Sequence, residues 1–435
     1  MRRRRLVLLL VMAAALGIVG VALAYPRLQP STATPSAATT ADGAQGGGGG
    51  DAGADGGAGA ASNPDGETTG DGAAGGVTTE QAVEAWPDWK PTPQAQAQID
   101  AALANGRPPQ FLISSFDGAA DISKYRQWLP LAQRLGARFT FFVSGIYMLM
   151  PEYATWYQPP HKPAGFSNLG GYAELAGSKS AEQNIYDNLQ SFNAAREMGN
   201  EIGTHYVSHI CEESNTWTTA DWVSENSQWE KLMLETTAIS HLATPFAPLY
   251  TKDDFHGGRT PCLAGEKSAV YAASKRMGWE YDASEEGILG AWPKRQQGIW
   301  SFPLPSIPRV GSKYDTLAMD YNFYFNHGKT DDPARVQELE DWTYESYYGA
   351  FRKLYTSNRA PFVLGSHFAD WNHGAYNRAL QRTLEKACTT PEVACVTFIT
   401  LARWLDEQSP AQLAKWERGE FGSSAAADAT TDTTG

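Results

Sequence analysis

Residues 199–209 read GNEIGTHYVSH. The first part, Glu201-Ile202-Gly203, reads as the end of a buried strand, and the second sets His205 and His209 four residues apart. If a helical turn begins at His205, both imidazoles share a face and can hold one metal ion. Polar groups just beyond a strand's carboxyl end are where α/β barrels carry their chemistry. An isolated HxxxH is by default a solvated helix face, so its surroundings decide its meaning.

Outward from this stretch, apolar runs and helical patterns alternate. Residues 110–116 (QFLISSF) form a strand ending at Asp117, and 138–143 (RFTFFV) are aromatic and β-branched, as a buried strand requires. Further runs at 279–281, 299–302, 361–364 and 393–399 read as strands. Helical periodicity covers 124–135, 181–198, 222–239, 267–277, 336–355 and 376–387. About seven such repeats, with no glycine-rich dinucleotide fingerprint after the first strand, point to a parallel sheet with barrel-like closure.

The ends of the 435-residue chain differ from its middle. Arg2 to Arg5 precede an uncharged apolar run, 6–24, which fits an export signal or a membrane anchor. The small residues Ala22-Leu23-Ala24 fit a cleavage site, and cleavage and anchoring both stay open. In either case the following chain faces outward, giving an exported, extracellular or cell-envelope protein, with 6–24 as the membrane tether if uncleaved. Residues 25–82 are rich in Gly, Ala, Thr and Asp and cannot bury enough surface to fold. They read as a flexible tether, 83–422 as one large domain, and 423–435 as a second low-complexity tail.

The formal net charge is −13, and it becomes more negative once Arg2 to Arg5 are set aside. Such a chain is a poor binder of nucleic acid or anionic surfaces. Four cysteines bound for an oxidising compartment favour disulfides: Cys388 with Cys395 by proximity, and Cys211 with Cys262 by remainder. Two other connectivities are open. No CxxC spacing supports a four-cysteine metal site.

Several polar residues fall near strand ends: Asp117 in SFDG, Arg259 in RTPC, Asp282 in WEYDAS and His367 in GSHFADW. Singly, each has an ordinary structural explanation, such as a cap, a surface pair or a hydrogen-bonded core histidine. In order, FDG, GARFTFFVSG, GNEIGTHYVSH, RTPCLAG, WEYDAS and the late histidine resemble the NodB-like polysaccharide deacetylases, chitin and peptidoglycan deacetylases among them. The resemblance spans roughly 109–405, with 146–179, 212–257 and 285–332 as insertions or divergent loops.

The resemblance implies a distorted (β/α) barrel with long loop insertions, which removes acetyl groups from cell-wall or chitin-type glycans with a divalent metal. That metal is commonly zinc, with cobalt, nickel and manganese as alternatives. It implies His205 and His209 as metal ligands, Asp117 as general base, His367 as general acid and Arg259 as the group orienting the base. It also implies the Cys262 backbone N–H as an oxyanion donor and Asp282 as a partner of His367 or Arg259. Trp371, just after His367, is a candidate for stacking on a sugar ring.

One position departs from the family pattern. Gly118 stands where a second aspartate would be the third protein ligand, and catalytic zinc sites usually have three. Asp121 from the following turn, Asp117 itself or solvent could complete the set. Two further readings remain alongside the deacetylase: a non-catalytic glycan-binding domain on the same scaffold, and an acyl esterase with less need of His367.

Overall fold

The computed structural model describes residues 89–169 and 180–421. The expected export segment, the whole Gly/Ala-rich tether and the C-terminal tail lie outside the described residues. Among the described residues no helix is long and apolar enough to cross a membrane.

Among the described residues there are twelve strands: β1 (Gln110–Asp117), β2 (Thr140–Val143), β3 (Glu201–Thr204), β4 (Gly257–Gly258), β5 (Tyr281–Asp282), β6 (Glu286–Ile288), β7 (Lys294–Gln296), β8 (Ile299–Ser301), β9 (Leu304–Pro308), β10 (Asp315–Leu317), β11 (Phe362–His367) and β12 (Val393–Cys395). The helices are α1 (Pro93–Ala104), α2 (Ile122–Leu135), α3 (Ala181–Glu197), α4 (Thr219–Ile239), α5 (Lys267–Met277), α6 (Asp320–Asn326), α7 (Val336–Tyr355), α8 (Trp371–Ala387), α9 (Phe398–Asp406) and α10 (Pro410–Glu417).

Nine strands build one sheet in the order β11-β1-β2-β3-β4-β5-β8-β7, with β12 also pairing β1. Every pair in it is parallel except β7 with β8. A second sheet, β10-β9-β6, lies beyond β8, and the bridge between Met319 and Gly365 ties the chain after β10 to β11. The result is a curled, mostly parallel half-barrel with flanking helices, a distorted (β/α) barrel in which, among the described residues, no pairing joins β7 to β11.

Local signals explain most elements. All eight residues of β1 are buried, as befits a strand covered on both faces. In α3, Ile185, Leu189 and Phe192 recur at helical spacing and face the core, while the Ser180 hydroxyl accepts the Gln183 N–H at the amino end. Core rings pack across layers, with Phe116 stacked on Phe141 at 5.4 Å and Phe142 on Phe398 at 5.6 Å. Each large side chain buried this way contributes roughly 1.5–3 kcal/mol.

One local expectation is corrected, and one strand had no signal in the sequence. The apolar run 393–399 is not one strand: β12 ends at Cys395, and Thr397 caps α9 by accepting the Thr400 N–H. The short β4 carries no β-branched residue and so gave no strand signal. Its glycines are there for close approach, since a Cβ on Gly258 would lie 2.2 Å from Thr204 Cγ2. Both expected disulfides, Cys211–Cys262 and Cys388–Cys395, are formed.

Candidate active site

The parallel sheet delivers polar residues to one end. Asp117 and His367 close β1 and β11 and are directly paired in register. His205 follows β3, Arg259 follows β4, and Asp282 ends β5. A cleft of about 440 Å³ opens there, lined by Asp117, His205, His209, Cys262, His367 and Trp371 among others.

Arg259 is fully buried and is held in three directions. Its Nη1 donates to Asp117 Oδ1 and to Ser115 Oγ, both at 2.9 Å, and its Nε donates to the Ala283 carbonyl at 3.0 Å. Burial alone would raise the Asp117 pKa, but the Arg259 guanidinium, helped by His367, holds the carboxyl below its ordinary range. Asp117 is therefore an ionised, fixed acceptor facing the cleft.

His205 is 2 % exposed, and its Nδ1 lies 2.8 Å from the Arg259 carbonyl. A carbonyl only accepts, so Nδ1 carries the proton and Nε2 keeps its lone pair, the arrangement a metal-ligating histidine needs. Burial pushes its pKa down to about 3, and burial also lowers that of His209. The two rings are 5.1 Å apart between centroids. They do not share a helix face as expected: the turn after β3 is irregular, with left-handed φ values of 60° at Tyr206 and 57° at His209.

Two imidazoles and an ionised carboxylate lining one cleft suit a divalent ion by donor chemistry. His209, Cys211 and Cys262 also cluster, with ligand atoms within 4.8 Å, but the two sulfurs are joined as a disulfide and offer no thiolate.

His367 has a partner that the sequence reading missed. Asp320 Oδ1 lies 2.7 Å from its Nδ1, while Oδ2 accepts the His367 N–H at 2.7 Å and the Ser366 hydroxyl at 3.0 Å. Burial disfavours the imidazolium, yet the buried Asp320 carboxylate outweighs it and raises the His367 pKa. Asp320 sits at the end of a short apolar run, Leu317-Ala318-Met319, much as Asp117 ends QFLISSF. That run lies within 285–332, where the resemblance places an insertion, so its local signal has no counterpart in the motif order.

Asp282 is corrected: it partners neither His367 nor Arg259 through its side chain. Its oxygens accept the Ser284 N–H and hydroxyl, and Ser284 Oγ accepts the Thr260 N–H, so Asp282 braces the segment after Arg259. Burial raises its pKa to about 6. Asp121 is corrected too, for it caps α2 by accepting from Ser123 N and Oγ at 2.8 and 2.7 Å and does not line the cleft. Asp121→Ala is expected to cost about 1 kcal/mol of stability and to leave bound metal unchanged, as paired urea melts and metal analysis would show.

Gly118 has φ +66°, and a Cβ built there meets nothing within 4 Å. Cys262 reaches the cleft with φ 55°, and among the described residues its backbone N–H donates to no other group. Trp371 forms one wall, 5.3 Å from the His367 ring and stacked on Tyr324 at 5.2 Å. Tyr321, also missed, packs 5.5 Å from Trp371 in the same cleft.

No family model matches the chain, and neither does any curated protein. Among solved structures, its neighbours include polysaccharide deacetylases. One is a protein from Mycobacterium smegmatis assigned as a polysaccharide deacetylase, 13% identical over 69% of this chain and 93% of that one, with a TM-score of 0.41. Another is the chitin deacetylase of the fungal pathogen Colletotrichum lindemuthianum, 16% identical over 65% and 84%, with a TM-score of 0.35. A third is a CE4 family pseudoenzyme from Bacillus anthracis, 9% identical over 64% and 60%, with a TM-score of 0.33.

Proposed function

We propose that the protein is a metal-dependent hydrolase that removes acetyl groups from an N-acetylated or O-acetylated polysaccharide outside the cell. The observation that carries this is one cleft holding an Arg259-paired carboxylate, the buried imidazole of His205, the half-buried imidazole of His209 and an Asp320-paired histidine. His205 and His209 would hold the ion. Bound there, a divalent cation such as zinc would lower the pKa of water and polarise the acetyl carbonyl.

The chain's own groups supply the rest. Asp117, kept ionised by Arg259, takes a proton from the attacking water. His367, kept protonated by Asp320, gives a proton from Nε2 to the leaving amine, which departs poorly without it. The Cys262 N–H, without an acceptor among the described residues, is available to the oxyanion. Trp371 and Tyr321 offer ring faces to a pyranose. Assay of acetate release from chitin oligomers, peptidoglycan and acetylated xylan, with zinc, cobalt, nickel or manganese added, tests the proposal. No release from any pairing sinks it.

Gly118 favours a second reading, a glycan-binding domain without turnover, because it leaves the ion two imidazoles and at most Asp117. That reading expects glycan binding to survive His205→Ala, with no acetate released by either form. Gly118→Asp bears on the same point. Aspartate tolerates the left-handed region better than most residues, and the space is open. The variant is expected to bind zinc about tenfold more tightly, equivalent to ~1.4 kcal/mol, in competition with a chelator. An unchanged Kd would mean that a carboxylate at this position does not reach the ion.

A further inference from the structure

The turn between the two histidines is held by a buried carboxylate from a distant helix. Glu225 on α4 is 1 % exposed, and among the described residues it has no lysine or arginine partner. Its Oε1 accepts the Val207 N–H at 2.9 Å. Tyr157, itself fully buried, donates to the same carboxylate at 2.8 and 3.0 Å and lies 2.8 Å from Ser208 Oγ. Both supports come from stretches that the sequence reading set aside as insertions.

Burying a carboxylate without a cation is costly, so the site must return something for it. The neighbouring backbone shows what. Tyr206 and His209 both hold left-handed φ values without being glycine. Such a conformation costs roughly 1–2 kcal/mol per residue and persists only where the surroundings over-determine it. It also replaces the helical turn that would otherwise carry His209, and so sets where the second imidazole points.

We propose that Glu225, together with Tyr157, is a positioning residue that locks the 205–209 turn so that His205 and His209 converge on one ion. This rests on the metal reading above and names the part of the fold that sets the affinity of that site. Val207 and Ser208 are gripped by their N–H and hydroxyl, which leaves the flanking imidazoles free to face the cleft.

The test is titration of the purified, metal-stripped full-length protein with Co²⁺, following its visible d–d absorption. The unmodified protein is expected to bind one ion, and His205→Ala none. Glu225→Ala is expected to weaken binding by about ten- to a hundredfold and to alter the band. Glu225→Gln keeps an acceptor for the Val207 N–H and should recover most of that loss. Wild-type Kd and band in both Glu225→Ala and Tyr157→Phe overturn the proposal. If near-UV circular dichroism shows Glu225→Ala unfolded, Tyr157→Phe decides, with at least a threefold loss required. An unmodified protein that binds no Co²⁺ overturns the metal reading itself, and this inference with it.

Discussion

Asp117→Asn is expected to cut acetate release by about 10²- to 10⁴-fold, the contribution of a positioned general base. Asparagine keeps the shape and still accepts a hydrogen bond from Arg259, so the loss would report proton transfer rather than collapse of the cleft. The pH profile gives a second readout. The Asp117 pKa is lowered, so activity should rise as pH climbs through a value under the ordinary carboxylate range. The His367 pKa is raised, so activity should persist past the ordinary histidine value and then fall as the imidazolium deprotonates. In kcat/KM the asparagine variant should lose the acidic limb and keep the alkaline one. An acidic limb that survives Asp117→Asn would assign the base elsewhere.

Arg259→Leu should be the most damaging single change to stability, at about 3–5 kcal/mol near neutral pH, because it leaves the buried Asp117 carboxylate without its cation. The sign with pH is fixed by linkage. A depressed carboxylate pKa stabilises the fold above the unfolded value, and that contribution fades as pH falls through the lowered one. In the leucine variant burial would push the same pKa upward, so the penalty appears only where Asp117 must ionise. The gap between the two proteins should therefore shrink in acid. Urea melts at neutral pH and near pH 4 would measure it, and a gap independent of pH would show that lost packing against Phe142 and Phe398 dominates.

Much of the site was legible because each residue had a local signal. Asp117 and His367 end apolar runs and His205 follows a short strand, so alternation of elements placed these three at one end of a parallel sheet, whereas Arg259 follows the signal-less β4 and was indicated by the RTPC motif of the resemblance. Asp282 had the same local signal and turned inward to Ser284 instead. A strand terminus says that a side chain is near the cleft and not which neighbour it will choose. Asp121 shows a similar limit, since the same carboxylate suits a helix cap and a metal ligand, and the Ser123 N–H was closer.

The alternating architecture and the order in which the barrel's mouth is furnished were encoded locally, because burial periodicity and residue chemistry are local properties, while the choice among the open cysteine pairings came with the fold. That Asp320 holds His367, and that Glu225 and Tyr157 grip the histidine turn, emerged from long-range packing. Those contacts join segments 47, 18 and 51 residues apart. They depend on how the Met319–Gly365 bridge and α4 pack against the sheet, and no pattern of hydrophobic spacing encodes a pairing between remote polar atoms.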